Sequence, residues 1–370
     1  MELYMCKQWV DFFYYSNSKA MVNVGIIGYG YWGPNLVRNF FAAADCCVKA
    51  VADGRSERLQ QLGKVFPTIK GVQDAEDIIY DPDIDAVIIA TPVSTHFTLA
   101  RKALAEGKHV LIEKPMTSST EEAELLINLA KQKGVLLMVD HTFLYTGAVE
   151  KMKYLVDNKE LGNIKYLDST RINLGLFQSD INVLWDLAPH DISILNYIVR
   201  ERPYSVNATG ITHTNNNIEN IAYLTVNYAS GFIAHFNCSW TSPVKVRMML
   251  IGGDQKMILY NDLEPTEKVK IYDTGYSYLN DEEKNKVRID YRTGDIHVPK
   301  LATTEALLGM ANDFISSIQE KKEPKSSCQL GLDVVRILEA SSESIKHNGR
   351  EVILESSTSP VTHTIQEVLI

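Results

Sequence analysis

The sequence predicts an α/β chain in two parts, a parallel sheet interleaved with helices and then an α+β domain whose strands run mostly antiparallel. Three observations carry that prediction. Between Val22 and Val139 short apolar runs alternate with helical segments of about ten to fifteen residues, the pattern of right-handed crossovers in a parallel sheet. From about Ala148 this alternation gives way to long stretches of period two, which read as antiparallel strands. Between the first apolar run and the first helical segment stands a glycine cluster, Gly28, Gly30 and Gly33.

Val22, Val24, Ile26 and Ile27 suit a short buried strand. Gly28 lets the chain turn out of it, Gly30 has no Cβ to block an approaching pyrophosphate, and Gly33 lets the next helix pack close to the sheet. Pro34 fits that helix's first turn, so Tyr31 and Trp32 can aim their amides at a phosphate. A second strand, Cys47 to Ala52, leads into Asp53 at about the ~20-residue distance where a carboxylate meets an adenosine ribose. Together these features predict a Rossmann domain that binds a dinucleotide.

Ser56 then reads as the cap of a helix carrying Leu59, Leu62 and Val65. A strand at Ala86 to Ala90, a helix at Thr95 to Glu106 and a strand at His109 to Ile112 follow. Ser119-Thr120-Glu121-Glu122 is a capping box opening a helix to Lys133, and Val135 to Val139 is another strand. The residues just past the strands are those that face a ligand: Thr91 and Pro92, Glu113 to Pro115, His141 and Thr142. The second part opens with a helix to Asn158 and a Gly162-Asn163 turn. Strands are expected near Ile164 to Leu176, Ser205 to Ile211, Glu219 to Tyr228, Gly231 to Cys238, Val246 to Ile251 and Met257 to Tyr260, with Ala229-Ser230-Gly231 as a hairpin turn. A helix from Trp185 to Val199 interrupts them. Residues 262 to 300 read as charged and irregular, with Glu282-Glu283-Lys284 in a solvated loop, and helices at Thr304 to Lys321 and Leu330 to His347 close the chain. The expected bounds are an extension at 1–20, the nucleotide domain at 21–145, a substrate and oligomerisation domain at 146–350, and a tail at 351–370.

The 370 residues, 45% of them hydrophobic, suffice for a sizeable core. A net charge of −9 without clustered Lys and Arg argues against a nucleic-acid surface. The five cysteines show no C-x-x-C spacing, which predicts reduced thiols, no metal site and a cytoplasmic location. No stretch approaches the ~20 apolar residues of a membrane span, and residues 1 to 20 lack the pattern of a secretion signal.

Lys114 could donate to a substrate hydroxyl and stabilise a developing alkoxide, or could be a surface lysine that follows a strand. Asp186 and His190 lie one helical turn apart and could form an acid/base pair. Their plainer reading is a capped helix start with a locally bonded histidine.

GYGYWGPN with Asp53, ATPVSTH from Ala90 to His96, EKP from Glu113 to Pro115 and D-x-x-x-H from Asp186 to His190 occur in one order. In this the chain, from about Val22 to His347, resembles the glucose-fructose oxidoreductase, inositol dehydrogenase and rhizopine-catabolism (Gfo/Idh/MocA) family. The resemblance implies that Lys114, Asp186 and His190 surround a reacting carbinol. His190 would take the hydroxyl proton, Lys114 would polarise the oxygen, Asp186 would tune the imidazole, and hydride would pass to a nicotinamide. It also implies an open-faced sheet that builds homodimers or homotetramers, and a cofactor end lined near Thr91, Pro92, His96, Glu113 and Lys114. Asp53 favours NAD over NADP by repelling a 2′-phosphate, whereas Arg55 could stack on adenine or meet that phosphate.

Where many members carry an N-R-R-F-like segment, this chain has Asp140-His141-Thr142-Phe143. HTFLY, STRINLG and WDLAPHD resemble the branch of surface-polysaccharide and nucleotide-sugar pathways, including UDP-N-acetylglucosamine and UDP-N-acetylglucosaminuronate 3-dehydrogenases. Arg171 and Asn173, alternating on one strand, and Tyr145 are then substrate-binding positions; the alternative for the first two is an ordinary strand face paired with solvent or another subunit, and for Tyr145 core or interface packing. The expected activity is NAD-dependent oxidation or reduction at C3 of a nucleotide-activated amino sugar. A glycoside hydrolase using transient C3 oxidation, or a non-catalytic NAD- and sugar-binding protein, are the other two readings.

Overall fold

The computed structural model describes residues 20–175, 177–215, 217–278 and 289–354. All but residue 20 of the predicted extension, residues 355–370 of the predicted tail and the Glu282-Glu283-Lys284 segment lie outside them.

The first sheet contains β1 (Val22–Ile27), β2 (Cys46–Ala52), β3 (Lys70–Val72), β4 (Ala86–Ile89), β5 (His109–Glu113) and β6 (Leu137–Asp140). Its order is β3-β2-β1-β4-β5-β6, with every neighbouring pair parallel. The winding reverses between β1 and β4, and a crevice opens there beyond the carboxyl ends of the strands. Burial on both faces explains the unbroken apolar runs: all four residues of β4 are buried. The covering helices are α1 (Gly33–Ala42), α2 (Ser56–Val65), α3 (Glu76–Ile79), α4 (Val93–Ala105) and α5 (Thr120–Lys133).

Two differences from the predicted elements are local. Ser56 is the first residue of α2 rather than its cap, because Asp53 sets the turn by accepting the Arg55 backbone N–H at 3.0 Å. The short β3 and α3 were not predicted; three- and four-residue elements are too brief to show a period. Ser119 does cap α5, accepting from the Glu122 N–H at 3.3 Å, while the Glu122 carboxylate bonds Ser118.

A 3₁₀ turn (Thr142–Tyr145) and α6 (Gly147–Asp157) lead into the second sheet. It contains β7 (Ile164–Leu174), β8 (Pro203–Ile211), β9 (Ile221–Tyr228), β10 (Ile233–Ser239), β11 (Thr241–Gly253), β12 (Met257–Asn261) and β13 (Val269–Tyr272). After a separate ribbon of β14 (Gly275–Tyr278) and β15 (Ile289–Arg292), edge strands β16 (Ile296–His297) and β17 (Val352–Ile353) complete it. The order is β16-β13-β12-β11-β7-β10-β9-β8-β17, antiparallel except where β7 meets β10. The described part of 262–300 therefore contains strands where irregular structure was expected; β13 continues the ladder of β12, its alternation too short to stand out among charges.

Alternation sorts the faces of this sheet. Leu167, Ser169 and Arg171 of β7 and Ala222, Leu224 and Val226 of β9 are buried, and α7 (Val183–Ile198) packs over β7, β9 and β10. On the opposite face Tyr223 and Ile233 are exposed. Helices α8 (Ala306–Glu320) and α9 (Cys328–Lys346) return to the first sheet. Phe314 packs edge-on to Phe40 at 6.1 Å, Arg38 binds Glu305, Arg336 binds Glu124 at 2.6 Å, and Ser327 bridges to Met138. Trp185 in the first turn of α7 donates its indole N–H to the Ser342 hydroxyl of α9 at 2.9 Å, which ties the start of α7 to the same helix.

Candidate active site

A cleft of about 1180 Å³ opens where the winding reverses between β1 and β4. Gly28, Gly30, Tyr31 and Trp32 form one wall, Asp53 and Arg55 its far end, and Thr91, Pro92, Glu113 and Lys114 its floor. Gln178 to Ile181 and Asp186 close it from the second domain. The glycines fit a dinucleotide. Gly28 has φ +103°, and a Cβ there would come within 2.4 Å of the Ala90 carbonyl oxygen. A Cβ at Gly33 would lie 2.3 Å from the Gly28 oxygen, so α1 can begin this close to the strand only with glycine. At Gly30 it would project toward Arg55, 3.6 Å from Nη2, on the cleft side where a phosphate must approach.

Asp53 is 8% exposed and both its oxygens are engaged. Oδ2 accepts from the Tyr29 N–H at 2.9 Å, and the Arg55 guanidinium grips both oxygens, each at 2.9 Å. Burial alone would raise the Asp53 pKa, but the bonds from Arg55 and Tyr29 outweigh it and bring it down to about 2. The group is thus a fixed anion at the ribose end.

At the other end the Lys114 ammonium crosses from β5 to the first turn of α7. It donates to the Asp186 backbone oxygen at 2.8 Å, with the Asp186 carboxylate 3.6 Å away. That carboxylate accepts from the Trp240 indole at 3.0 Å. The helix cap is Asn182, which accepts from the N–H groups of Leu184 and Trp185, so Asp186 is released for this task. The expected Asp186–His190 pair is not formed, because the carboxylate is turned to Lys114 and Trp240. His190 instead packs edge-on to Phe143 at 5.0 Å, and its Nδ1 is buried without a partner. Burial, then the charges of Lys114, Arg171, His141 and Arg247, push its pKa well below the usual histidine value, which keeps the ring neutral.

Three other predicted residues have their polar groups turned elsewhere. His96 is 1% exposed, with Nδ1 2.9 Å from the Pro115 oxygen and Nε2 2.9 Å from the Thr91 oxygen. It braces the two loops that floor the cleft and offers no atom to a ligand. Tyr145 donates to Asp313 at 2.7 Å and accepts from the Ser326 N–H. Arg171 is 4% exposed, holds Asp191 through Nε at 2.9 Å and Nη2 at 2.5 Å, and lies over the Phe143 ring. Both polar groups are thus engaged by neighbouring residues of the chain itself. Asn173 is half-buried near Gly175 and Trp240, close to the first turn of α7.

Sequence reasoning missed Trp240, Asp140 and the Gln178–Ile181 segment. Trp240 lies far along the chain from any motif. Asp140 carries a signal, a carboxylate ending a run of buried apolar residues, Leu137 to Val139. The segment is carried to the cleft by Phe177, whose ring packs on Trp240 at 5.6 Å.

Two family profiles match the sequence. That of the oxidoreductase family with an NAD-binding Rossmann fold covers residues 22–141, and that of the GFO/IDH/MocA C-terminal domain covers residues 149–258. The UDP-N-acetylglucosamine 3-dehydrogenase of Acidithiobacillus ferrooxidans is 28% identical over 237 residues, 62% of this chain and 71% of that protein. The NAD-dependent scyllo-inositol 2-dehydrogenase of Bacillus subtilis is 29% identical over 252 residues, 65% of this chain and 72% of that protein. The solved structure of the Acidithiobacillus enzyme superposes with a TM-score of 0.74 at 23% identity, covering 88% of this chain and 98% of that one, which shows a shared fold.

Proposed function

The chain belongs to the Gfo/Idh/MocA oxidoreductase family, and on that premise we propose that it moves hydride between a sugar carbinol and NAD, specifically at C3 of a nucleotide-activated amino sugar. The observation that carries this reading is the Lys114 ammonium, held by Asp186 at the mouth of the dinucleotide cleft with neutral His190 one helical turn beyond.

The N–H groups of the glycine loop and the start of α1 hold the pyrophosphate, and Asp53 accepts from the adenosine ribose, sharing its oxygens with Arg55. Thr91, Pro92 and Glu113 shape the nicotinamide end. NAD, when bound, supplies the hydride acceptor. Lys114 donates to the carbinol oxygen and stabilises negative charge there, and His190 has a free lone pair for the hydroxyl proton. Asp186 sets where the ammonium sits. Cofactor binding is assigned to residues 21–145, and substrate binding and homo-oligomerisation through the open sheet face to 146–350. Cys46, Cys47, Cys238 and Cys328 are free thiols, in keeping with a cytoplasmic protein. Among the described residues no helix is long and apolar enough to cross a membrane.

The names of the two relatives share one chemistry, dehydrogenation of a ring alcohol, and differ in the substrate's nucleotide. The deciding experiment follows nicotinamide absorbance of the purified protein with NAD and a panel of UDP-amino sugars, UDP-sugar acids, inositols and free sugars. Reduction with a UDP-amino sugar is expected. Turnover of inositols alone would replace the nucleotide-sugar reading, and cleavage of a glycoside without net reduction would replace the dehydrogenase reading.

A further inference from the structure

Behind Lys114 lies a group of buried polar atoms to which the proposed chemistry assigns no proton and no charge. Glu113 and Asp140 end the adjacent parallel strands β5 and β6 and face each other in register. Neighbouring strands lie ~4.8 Å apart, so two carboxyl groups at paired positions on one side meet directly. Each has one oxygen satisfied: Glu113 Oε2 accepts from the Lys114 N–H at 3.2 Å, and Asp140 Oδ1 accepts from the Thr142 hydroxyl. The remaining oxygens, Glu113 Oε1 and Asp140 Oδ2, are buried without a donor. Two carboxylates cannot bond each other, and leaving both charged and buried side by side costs several kcal/mol. One proton between them removes the repulsion and satisfies both oxygens together.

We propose that Glu113 and Asp140 share a single proton between Glu113 Oε1 and Asp140 Oδ2, and that the pair, carrying one negative charge, is the seat that positions Lys114. The functional half of this inference rests on the role assigned to Lys114 above; the shared proton does not. Burial first, then the facing Asp140 charge, drive Glu113 well above the carboxylate range, and burial raises Asp140 as well. The groups that face the pair agree in sign. Lys114 lies on the β5 side and favours one ionised carboxylate. The Trp32 indole from the glycine loop and Thr142 from the 3₁₀ turn favour the ionised form of Asp140, and the Tyr145 phenol feels its charge. His141, beside Asp140, is held neutral by burial and then by Lys114. Trp32 also lines the cofactor cleft, so the pair joins the phosphate loop to the lysine in one rigid group.

The test is infrared spectroscopy of the whole protein. Above pH 8 ordinary Asp and Glu side chains are ionised, so a remaining carbonyl stretch of a protonated carboxylic acid identifies a shared proton. Asp140→Asn and Glu113→Gln should each abolish that band. The double variant Glu113→Gln with Asp140→Asn, which removes the negative charge and keeps the shape of both side chains, should also lower kcat roughly ten- to hundredfold and shift its pH profile, because the lysine loses its seat. Absence of the band in the wild-type protein above pH 8, or its survival in both variants, overturns the shared proton. An unchanged kcat and pH profile in the double variant, with the band present in the wild-type protein, overturns the positioning role alone. If the variants fail to fold, ¹³C-labelled aspartate in the wild-type chain decides the first point by whether the band shifts.

Discussion

Lys114 Nζ and the backbone oxygen of Asp186 are 2.8 Å apart, a contact that ties the end of β5 to the first turn of α7 across the mouth of the cleft. A lysine that merely follows a strand would extend into solvent; this one is only 18% exposed and crosses between domains. Lys114→Ala should therefore lower kcat by roughly 10²- to 10⁴-fold, the range for losing a positioned proton donor, while NAD still binds. Turnover and cofactor-induced fluorescence change, measured on one preparation, separate the two. Unchanged turnover would remove Lys114 from the reaction.

Trp240 provides the next constraint. Its indole N–H holds the Asp186 carboxylate, and its ring packs on Phe177, where the segment that closes the cleft begins. Trp240→Phe keeps a ring against Phe177 and removes only the donor. A hydrogen bond to a charged group is worth ~1.5–3 kcal/mol, so stability should fall by that order and kcat by about tenfold as Asp186 loses its orientation. Rates equal to wild type would mean that Lys114 alone orients Asp186.

The fold was legible because its signals are periodic and local. The apolar runs of β1, β4 and β5, the glycine spacing and Asp53 each follow from a rule that acts within a few residues. The site was legible only where a motif marks a strand or helix end, as at Lys114, Asp186 and His190. What Asp186 binds was not, since Trp240 reaches it from 54 residues away. Arg171 looked available because its strand alternates correctly; its partner Asp191 lies on a helix whose rotation the strand pattern does not encode. His96 shows the same limit, being in the right loop with both nitrogens turned to backbone oxygens.

The Arg171–Asp191 pair separates a structural from a substrate-binding role. Both side chains are almost wholly buried, at 5% and 6% exposure, and Ser169 adds a third bond to Asp191 at 2.9 Å. Arg171→Ala leaves an uncompensated buried carboxylate, which costs ~3–5 kcal/mol. Chemical denaturation should show that loss, and Arg171→Met with Asp191→Leu should recover much of it. Full stability with a raised substrate KM would instead return Arg171 to the substrate site.

Cofactor choice should follow Asp53. In Asp53→Ala the carboxylate that repels a 2′-phosphate is gone and the Arg55 guanidinium is released toward it. The ratio of kcat/KM for NAD over NADP should drop by at least about tenfold, the effect of ~1.4 kcal/mol. A ratio that does not move would place the discrimination on another residue.

Stability should fall as the pH is lowered from 7, starting above the range where carboxylates titrate. His96, His109, His141 and His190 all have lowered pKa values, caused first by burial, and His141 is brought down to about 3. Unfolded histidines titrate near ~6.5, so below that pH the unfolded chain binds protons that the folded chain refuses. Each such histidine removes ~1.4 kcal/mol of stability per pH unit, until the pH reaches its folded value. The proton held by Glu113 and Asp140 acts in the opposite sense over this whole span, because the folded state keeps it at every pH from about 4 up to its raised folded value while the unfolded state has released it, and so it offsets one histidine. Between pH 6 and 5 stability should therefore still fall, because the lowered histidines outnumber the one shared proton. Urea denaturation at pH 7, 6 and 5 measures it, and His141→Asn should flatten the slope by about 1.4 kcal/mol per unit. Stability independent of pH over that span would show that these histidines titrate in the folded protein as they do in the unfolded chain.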